Sequence, residues 1–155
     1  MPTRWMVDKD AFDFLAARPE GRLATCDKAG QPFITPVNHL VHDGKIYFHS
    51  KLTGRKLNNI AENNRVCFEV SEVVKLTVSH DRPCGCSTRY TSVLAFGSAR
   101  VLPDGADKTA LLNLLVAKHA DGMPFAPVEE SHAVECAVVE ISIDEISGKK
   151  NIDSE

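Results

Sequence analysis

Between Tyr47 and Lys56 the chain reads Tyr-Phe-His-Ser-Lys-Leu-Thr-Gly-Arg-Lys, an alternating run that empties into a helical pattern whose first turn carries two cations. A helix N-terminus already bears roughly half a positive charge from its aligned peptides, so Arg55 and Lys56 are misplaced there unless an anion lies between them. A phosphate suits the position chemically. The N–H groups of Gly54 to Lys56, the Ser50 and Thr53 hydroxyls and the two cations would together give a dianion several hydrogen bonds, the charged ones stronger than neutral ones. The same residues would also serve as an ordinary solvated basic turn, since surface Lys and Arg are common.

The spacing after this turn predicts a short helix with Thr53 as N-cap, Leu57 and Ile60 on one face, and an end near Asn63 and Asn64. Two turns are marginal in isolation, so Leu57 and Ile60 must dock the helix on a larger body.

With 155 residues and no linker-like stretch, one domain over residues 1–155 is expected. The net charge is -3 with both signs mixed along the chain, which excludes a basic nucleic-acid stripe and a polybasic membrane anchor. No apolar run approaches a membrane span and the N-terminus lacks a secretory h-region, so a cytoplasmic protein is expected. The five cysteines are odd in number and scattered, which argues for reduced thiols. His80, Cys84 and Cys86 could begin a metal site, but no matching second pair follows, and loop thiols are the simpler reading.

A first helix is expected over 8–18, capped by Asp8, striped by Phe12, Leu15 and Ala16, and stopped by Pro19. Strands are expected over 22–26, 33–41 and 45–49, separated by strong turn signals, then over 65–70, 90–101 and 133–143. The segment 71–89 patterns poorly. A second helix over 107–119 would turn Leu111, Leu114 and Leu115 inward, and 147–155 reads as a polar, partly mobile tail. Six strands in consecutive hairpins favour a mainly β fold, a closed or nearly closed antiparallel barrel with peripheral helices, over a doubly wound parallel sheet.

Alternation puts Ile46 and Phe48 on one face of the third strand and Tyr47 and His49 on the other, with Ser50 joining Ile46 and Phe48 if the strand runs that far. On the second strand Thr35, Val37 and His39 alternate with Ile34, Pro36, Asn38 and Leu40. Pro36 marks an edge or a bulge, where backbone groups can meet a ligand. Asn38 carries both donor and acceptor atoms, as reading the imide edge of a flat heterocycle requires, though it also fits a turn-proximal surface residue.

Thr35-Pro-Val-Asn38, Asp43-Gly-Lys-Ile-Tyr-Phe-His-Ser50, Gly54-Arg-Lys56, Asn64-Arg-Val-Cys-Phe68, Tyr90-Thr-Ser-Val93 and Gly97 occur in that order. Together they resemble the flavin-binding split-barrel family related to pyridoxamine phosphate oxidases, and within it the nitroimidazole-resistance (Nim-type) branch, which Ile146-Ser-Gly-Lys149 also resembles. The resemblance implies a six-stranded antiparallel split β-barrel forming a homodimer, with FMN at the subunit interface. Thr35, Pro36, Val37 and Asn38 would line the isoalloxazine, His49 and Ser50 would border the ribityl phosphate, and Gly54, Arg55 and Lys56 would bind the phosphate. Tyr90 and Ser92 would reach the flavin from the other subunit.

The Arg-x-His element and the aromatic, Arg- and Pro-containing terminus of pyridoxamine phosphate oxidases proper are missing, so vitamin B6 oxidation is not expected. The resemblance implies an FMN-dependent oxidoreductase that passes electrons from a reduced nicotinamide to a small electron-poor acceptor of the nitroaromatic type, with His49 a candidate proton donor. Relatives of this barrel also bind haem or deazaflavin, and the alternative is a non-catalytic flavin or haem binding or storage protein of the same fold.

Overall fold

The computed structural model describes residues 4–79 and 86–151. In chain order the elements are β1 (Arg4–Trp5), α1 (Asp8–Ala17), β2 (Glu20–Cys26), β3 (Pro32–Asn38), β4 (Leu40–His42), β5 (Lys45–Ser50), α2 (Arg55–Glu62), β6 (Arg65–Thr77), β7 (Ser87–Val101), α3 (Ala106–His119), α4 (Glu130–Ala133) and β8 (Ala137–Asn151). The strands form one antiparallel sheet in the order β3-β2-β6-β7-β8-β5-β4, with β1 paired to the far end of β8.

The two ends of that order, β3 and β4, are consecutive in sequence and separated only by His39. A sheet whose opposite edges are one residue apart has to curl round on itself, so connectivity alone makes a barrel. It remains split, because β3 pairs only with β2 and β4 only with β5.

The sheet has eight strands where six were expected. The expected 33–41 strand breaks at His39 into β3 and β4, and Arg4–Trp5 adds a short strand. The expected polar tail is also corrected: residues 147–151 continue β8, pairing Ser147 with Leu94 and Asn151 with Tyr90. Its polarity is absorbed locally, since Asn151 Nδ2 donates to the Thr88 carbonyl at 2.8 Å and Gly148 lies against Met6 and Ala11. β8 begins at Ala137, because Ala133 ends α4, and β6 extends to Thr77 into the segment that patterned poorly. Residues 152–155 lie outside the described residues.

The barrel interior is filled by Leu23, Ile46, Phe48, Phe68, Val70, Val93, Val139 and Ile141, with Leu15 of α1 plugging one end. Asp8 does not cap α1, for Val7 holds the N-cap position, and the buried positions are Ala11 and Leu15. Outside the barrel, α3 packs Leu111, Leu112 and Leu115 on Tyr47 and Val138. Leu114, expected inward, is 41% exposed. Among the described residues no helix is long and apolar enough to cross a membrane.

Two close approaches fix the frame. At Gly97 an added Cβ would stand 1.9 Å from the Ser142 carbonyl oxygen, so β7 and β8 can meet there only through glycine. The buried Glu140 carboxylate joins three strands, accepting from Tyr47 Oη at 3.0 Å and Arg100 Nε at 2.8 Å and lying 3.2 Å from Lys45 Nζ. Burial pushes this carboxyl up, but the bonds from Arg100, Lys45 and Tyr47 outweigh it and hold it below the usual range.

The corner at His39 is held through its Nε2, its N–H and its carbonyl, while its buried Nδ1 has no hydrogen-bond partner among the described residues. Its Nε2 lies 2.8 Å from the Leu15 carbonyl, its N–H donates to the Pro19 carbonyl at 3.3 Å, and its own carbonyl accepts from Lys118 Nζ at 2.8 Å. The ring meets Phe68 edge-on, with centroids 5.0 Å apart. Burial pushes His39 down to about 4, against the favourable bond to Leu15 and with the charges of Lys118 and His119 adding to the shift. The unfolded chain therefore binds a proton that the folded chain refuses between pH 6.5 and about 4, and this part of the stability is lost as pH falls through that window. Urea unfolding across that range should show a loss approaching about 3 kcal/mol from this group. His39→Gln, which keeps an N–H for Leu15 and cannot titrate, should flatten the slope; an unchanged slope would assign it to other groups.

Candidate functional site

Along β5 the expected alternation holds. Ile46, Phe48 and Ser50 enter the barrel, while Tyr47 and His49 face outward toward α3, Tyr47 buried beneath the helix and His49 exposed. Ser50 is the last strand residue, so it shares the inward face. It is only 7% exposed, yet its Oγ has no hydrogen-bond partner among the described residues. A buried hydroxyl left without a partner costs about 1–3 kcal/mol of desolvation, which makes it an anomaly unless a ligand completes it.

The chain leaves β5 through exposed residues and enters α2 at Arg55. Thr53 does not cap the helix. Gly54 occupies the N-cap position with φ 144°, a conformation that L side chains rarely adopt, and having no side chain it supplies no cap hydrogen bond to the first turn. The first turn contains no acidic residue, so the cations at Arg55 and Lys56 stay uncompensated within the helix. Leu57 and the buried Ile60 dock α2 on the barrel core, as their spacing predicted.

The two cations lean toward the edge strand. The Arg55 guanidinium carbon lies 4.9 Å from the centroid of Phe33 on β3. Lys56 lines a cavity of about 310 Å³ with Glu20, Pro36, Val37, Asn38 and His49. This cavity sits at the split of the barrel, where the outer edge of β3 faces β5. Pro36 is tolerated there because β3 is an edge.

A second cavity of about 310 Å³ adjoins it, walled by Leu112, Leu115, Val116, His119 and Ala120 of the α3 end and again by Asn38 and His49. The two spaces thus meet on one pair of side chains, Asn38 and His49, and differ in chemistry. One is polar, with Lys56 and Glu20 of opposite charge both on its wall; the other is mostly apolar.

Of the residues singled out in the sequence, Pro36, Val37, Asn38, His49 and Lys56 are brought together in the first cavity; Ser50 ends β5, Gly54 precedes α2 and Arg55 begins it, and these three do not line that cavity. Thr35 lies on β3 opposite Leu23 and lines neither space. Tyr90 and Ser92 lie on β7, paired with Val73 and Ser71, and also line neither cavity within the chain. His80 and Cys84 fall outside the described residues; Cys86 is an exposed free thiol, and no metal-binding cluster occurs among the described residues. The α3 wall was missed. Leu112, Leu115, Val116 and His119 recur at helical spacing, and that stripe, ending in a titratable residue, was the available signal.

Ser50→Ala should leave the ligand-free protein as stable as the parent or more stable, by up to about 1 kcal/mol, since it removes an unpartnered polar atom. Chemical denaturation tests this; a marked loss would show that the hydroxyl has a partner within the fold.

The family model described as pyridoxamine 5'-phosphate oxidase matches residues 8–150. A 5a,11a-dehydrotetracycline/5a,11a-dehydrooxytetracycline reductase from Streptomyces rimosus is 33% identical over 96 residues, 59% of this chain; the chain spans 61% of that relative's length. Among solved structures, an FAD-binding protein from Mesorhizobium loti is 25% identical with a TM-score of 0.74, covering 98% of this chain and 100% of that one. A 5-nitroimidazole antibiotic resistance protein from Bacteroides thetaiotaomicron, so described provisionally, shares the fold with a TM-score of 0.80 at 20% identity, covering 96% of this chain and 89% of that one.

Proposed function

Because the chain belongs to the pyridoxamine 5'-phosphate oxidase family, we propose that it is a flavin-dependent reductase that holds FMN at the split of its barrel. The observation that carries this reading is a pair of features on consecutive elements: two cations in the first turn of α2 without a counter-charge in that turn, and, at the end of the preceding strand, a buried hydroxyl without a partner among the described residues. All three would bind the phosphate, with Gly54 letting the backbone approach. The edge of β3 at Pro36, Val37 and Asn38 would meet the ring system, Asn38 offering both donor and acceptor to its polar edge. Bound flavin would supply hydride transfer, which no side chain can supply unaided.

The electron donor is a reduced nicotinamide and the acceptor a small electron-poor molecule of the nitroaromatic type, lodged in the apolar cavity. A relative named as a reductase supports the reaction class. His49 lines both spaces and in this reading would exchange a proton with the acceptor. Purified protein should be yellow and should bleach under anaerobic mixing with reduced nicotinamide; a Soret band in place of flavin absorbance would overturn the assignment in favour of haem. Arg55→Ala and Lys56→Ala should each weaken FMN binding by about 1.5–3 kcal/mol, roughly tenfold or more in Kd by fluorescence titration. Unchanged affinity in both would place the phosphate elsewhere.

The working unit in this reading is a homodimer in which a second copy supplies Tyr90 and Ser92. In support, both residues sit beside a stretch of β6 where Val73, Val74 and Leu76 are 70%, 63% and 64% exposed, an apolar strip that association would cover. Val73→Asp with Leu76→Asp should yield monomers by light scattering and lower flavin content together. A monomeric parent would refute the arrangement.

A further inference from the structure

His119 closes the apolar cavity at the C-terminal end of α3, and its ring is oriented by the barrel corner. Its Nε2 lies 3.1 Å from the His39 carbonyl oxygen. A carbonyl only accepts, so Nε2 must carry the proton; a neutral imidazole has a single N–H, which leaves Nδ1 as a bare acceptor. The only hydrogen bond of the ring among the described residues is that of Nε2, and His119 lines the cavity. The neighbouring cation does not compete for Nδ1, since Lys118 Nζ is held by the Arg18 carbonyl at 2.7 Å and the His39 carbonyl at 2.8 Å.

The other groups contributed by α3 are Leu112, Leu115, Val116 and Ala120, all apolar, while Asn38 and His49 stand where the cavity opens onto its neighbour. With Nε2 committed to the His39 carbonyl, Nδ1 is the ring atom left to meet a molecule in this cavity, and beside the apolar α3 wall it would select a hydrogen-bond donor on a molecule that is otherwise largely apolar. We propose that the flat, electron-poor ring compound assigned to this cavity also bears a hydroxyl, as a phenol or an enol, whose O–H donates to Nδ1 of His119. The inference rests on the flavin reading only in placing this molecule beside the reducing group; recognition of the hydroxyl depends on His119 and His39 alone.

The discrimination follows from what happens without the hydroxyl. A molecule of the same shape that cannot donate leaves Nδ1 dehydrated and unpaired, which lowers affinity by about tenfold. Calorimetric titration of the purified protein with para-chlorophenol and with para-chloroanisole isolates that donor. The phenol should bind about tenfold more tightly, against the greater hydrophobicity of the ether. His119→Gln keeps a donor for the His39 carbonyl but loses the acceptor at Nδ1, and should abolish the preference while leaving flavin content unchanged. His119→Asn, with its carbonyl oxygen near the Nδ1 position, should restore part of it. Equal binding of both probes to the parent, no binding of either, or a preference that survives in His119→Gln would overturn the proposal. A colourless protein that still prefers the phenol would sink the cofactor reading and leave this one standing; a yellow protein indifferent to the hydroxyl would do the reverse.

Discussion

A single residue joins the two free edges of the sheet, and the architecture follows from holding it in place. His39 must terminate β3, begin β4 and turn the chain through the barrel wall without the help of glycine or proline. The backbone groups freed by that break need partners, and they find them outside the sheet: the N–H bonds Pro19, and the carbonyl takes both the Lys118 ammonium and the His119 imidazole. Burying the ring forces it to stay neutral, and burial likewise pushes Lys118 down to about 8. The corner therefore recruits α1 through Leu15 and the end of α3 through Lys118 and His119, fixing where both helices sit.

That corner also creates the site. Because β3 and β4 cannot pair across the split, the outer edge of β3 is left without a neighbouring strand, and Pro36, Val37 and Asn38 can face a ligand instead. β5 supplies His49 on the outward face and Ser50 on the inward face of the same strand, so one alternation sets both the junction residue and the buried hydroxyl. α3 then roofs one half with leucines, while α2 charges the other half with Arg55 and Lys56. A polar and an apolar space side by side are the outcome of two helices docking on either side of one break.

Much of this was legible in local pattern. The alternation of β5, the docking of α2 by Leu57 and Ile60, and the cationic first turn were all readable, because each depends on neighbours within a few residues. The break at His39 was not. The run from Phe33 to Val41 carries no glycine or proline at His39, and only the closure of the barrel, a long-range constraint, dictates where it snaps. The last residues of β8 were misread for the same reason: Lys149 and Lys150 look like a solvated tail, but β7 and β1 offer them partners on both sides. Gly54 displaced Thr53 as cap because the chain needs a positive φ to turn out of β5, a demand that capping preference does not register. The inward face of α3 was displaced because Leu111, Leu112, Leu114 and Leu115 satisfy more than one helical stripe.

Asn38 and His49 belong to both cavities at once. Two occupants would meet the same pair of side chains, so a rotamer or hydration imposed by one would be the state the other encounters. Thermodynamic reciprocity then requires that the factor by which the first alters affinity for the second equal the factor in the opposite direction. Any coupling between occupants of the two compartments would therefore pass through these two side chains and be equal in both directions.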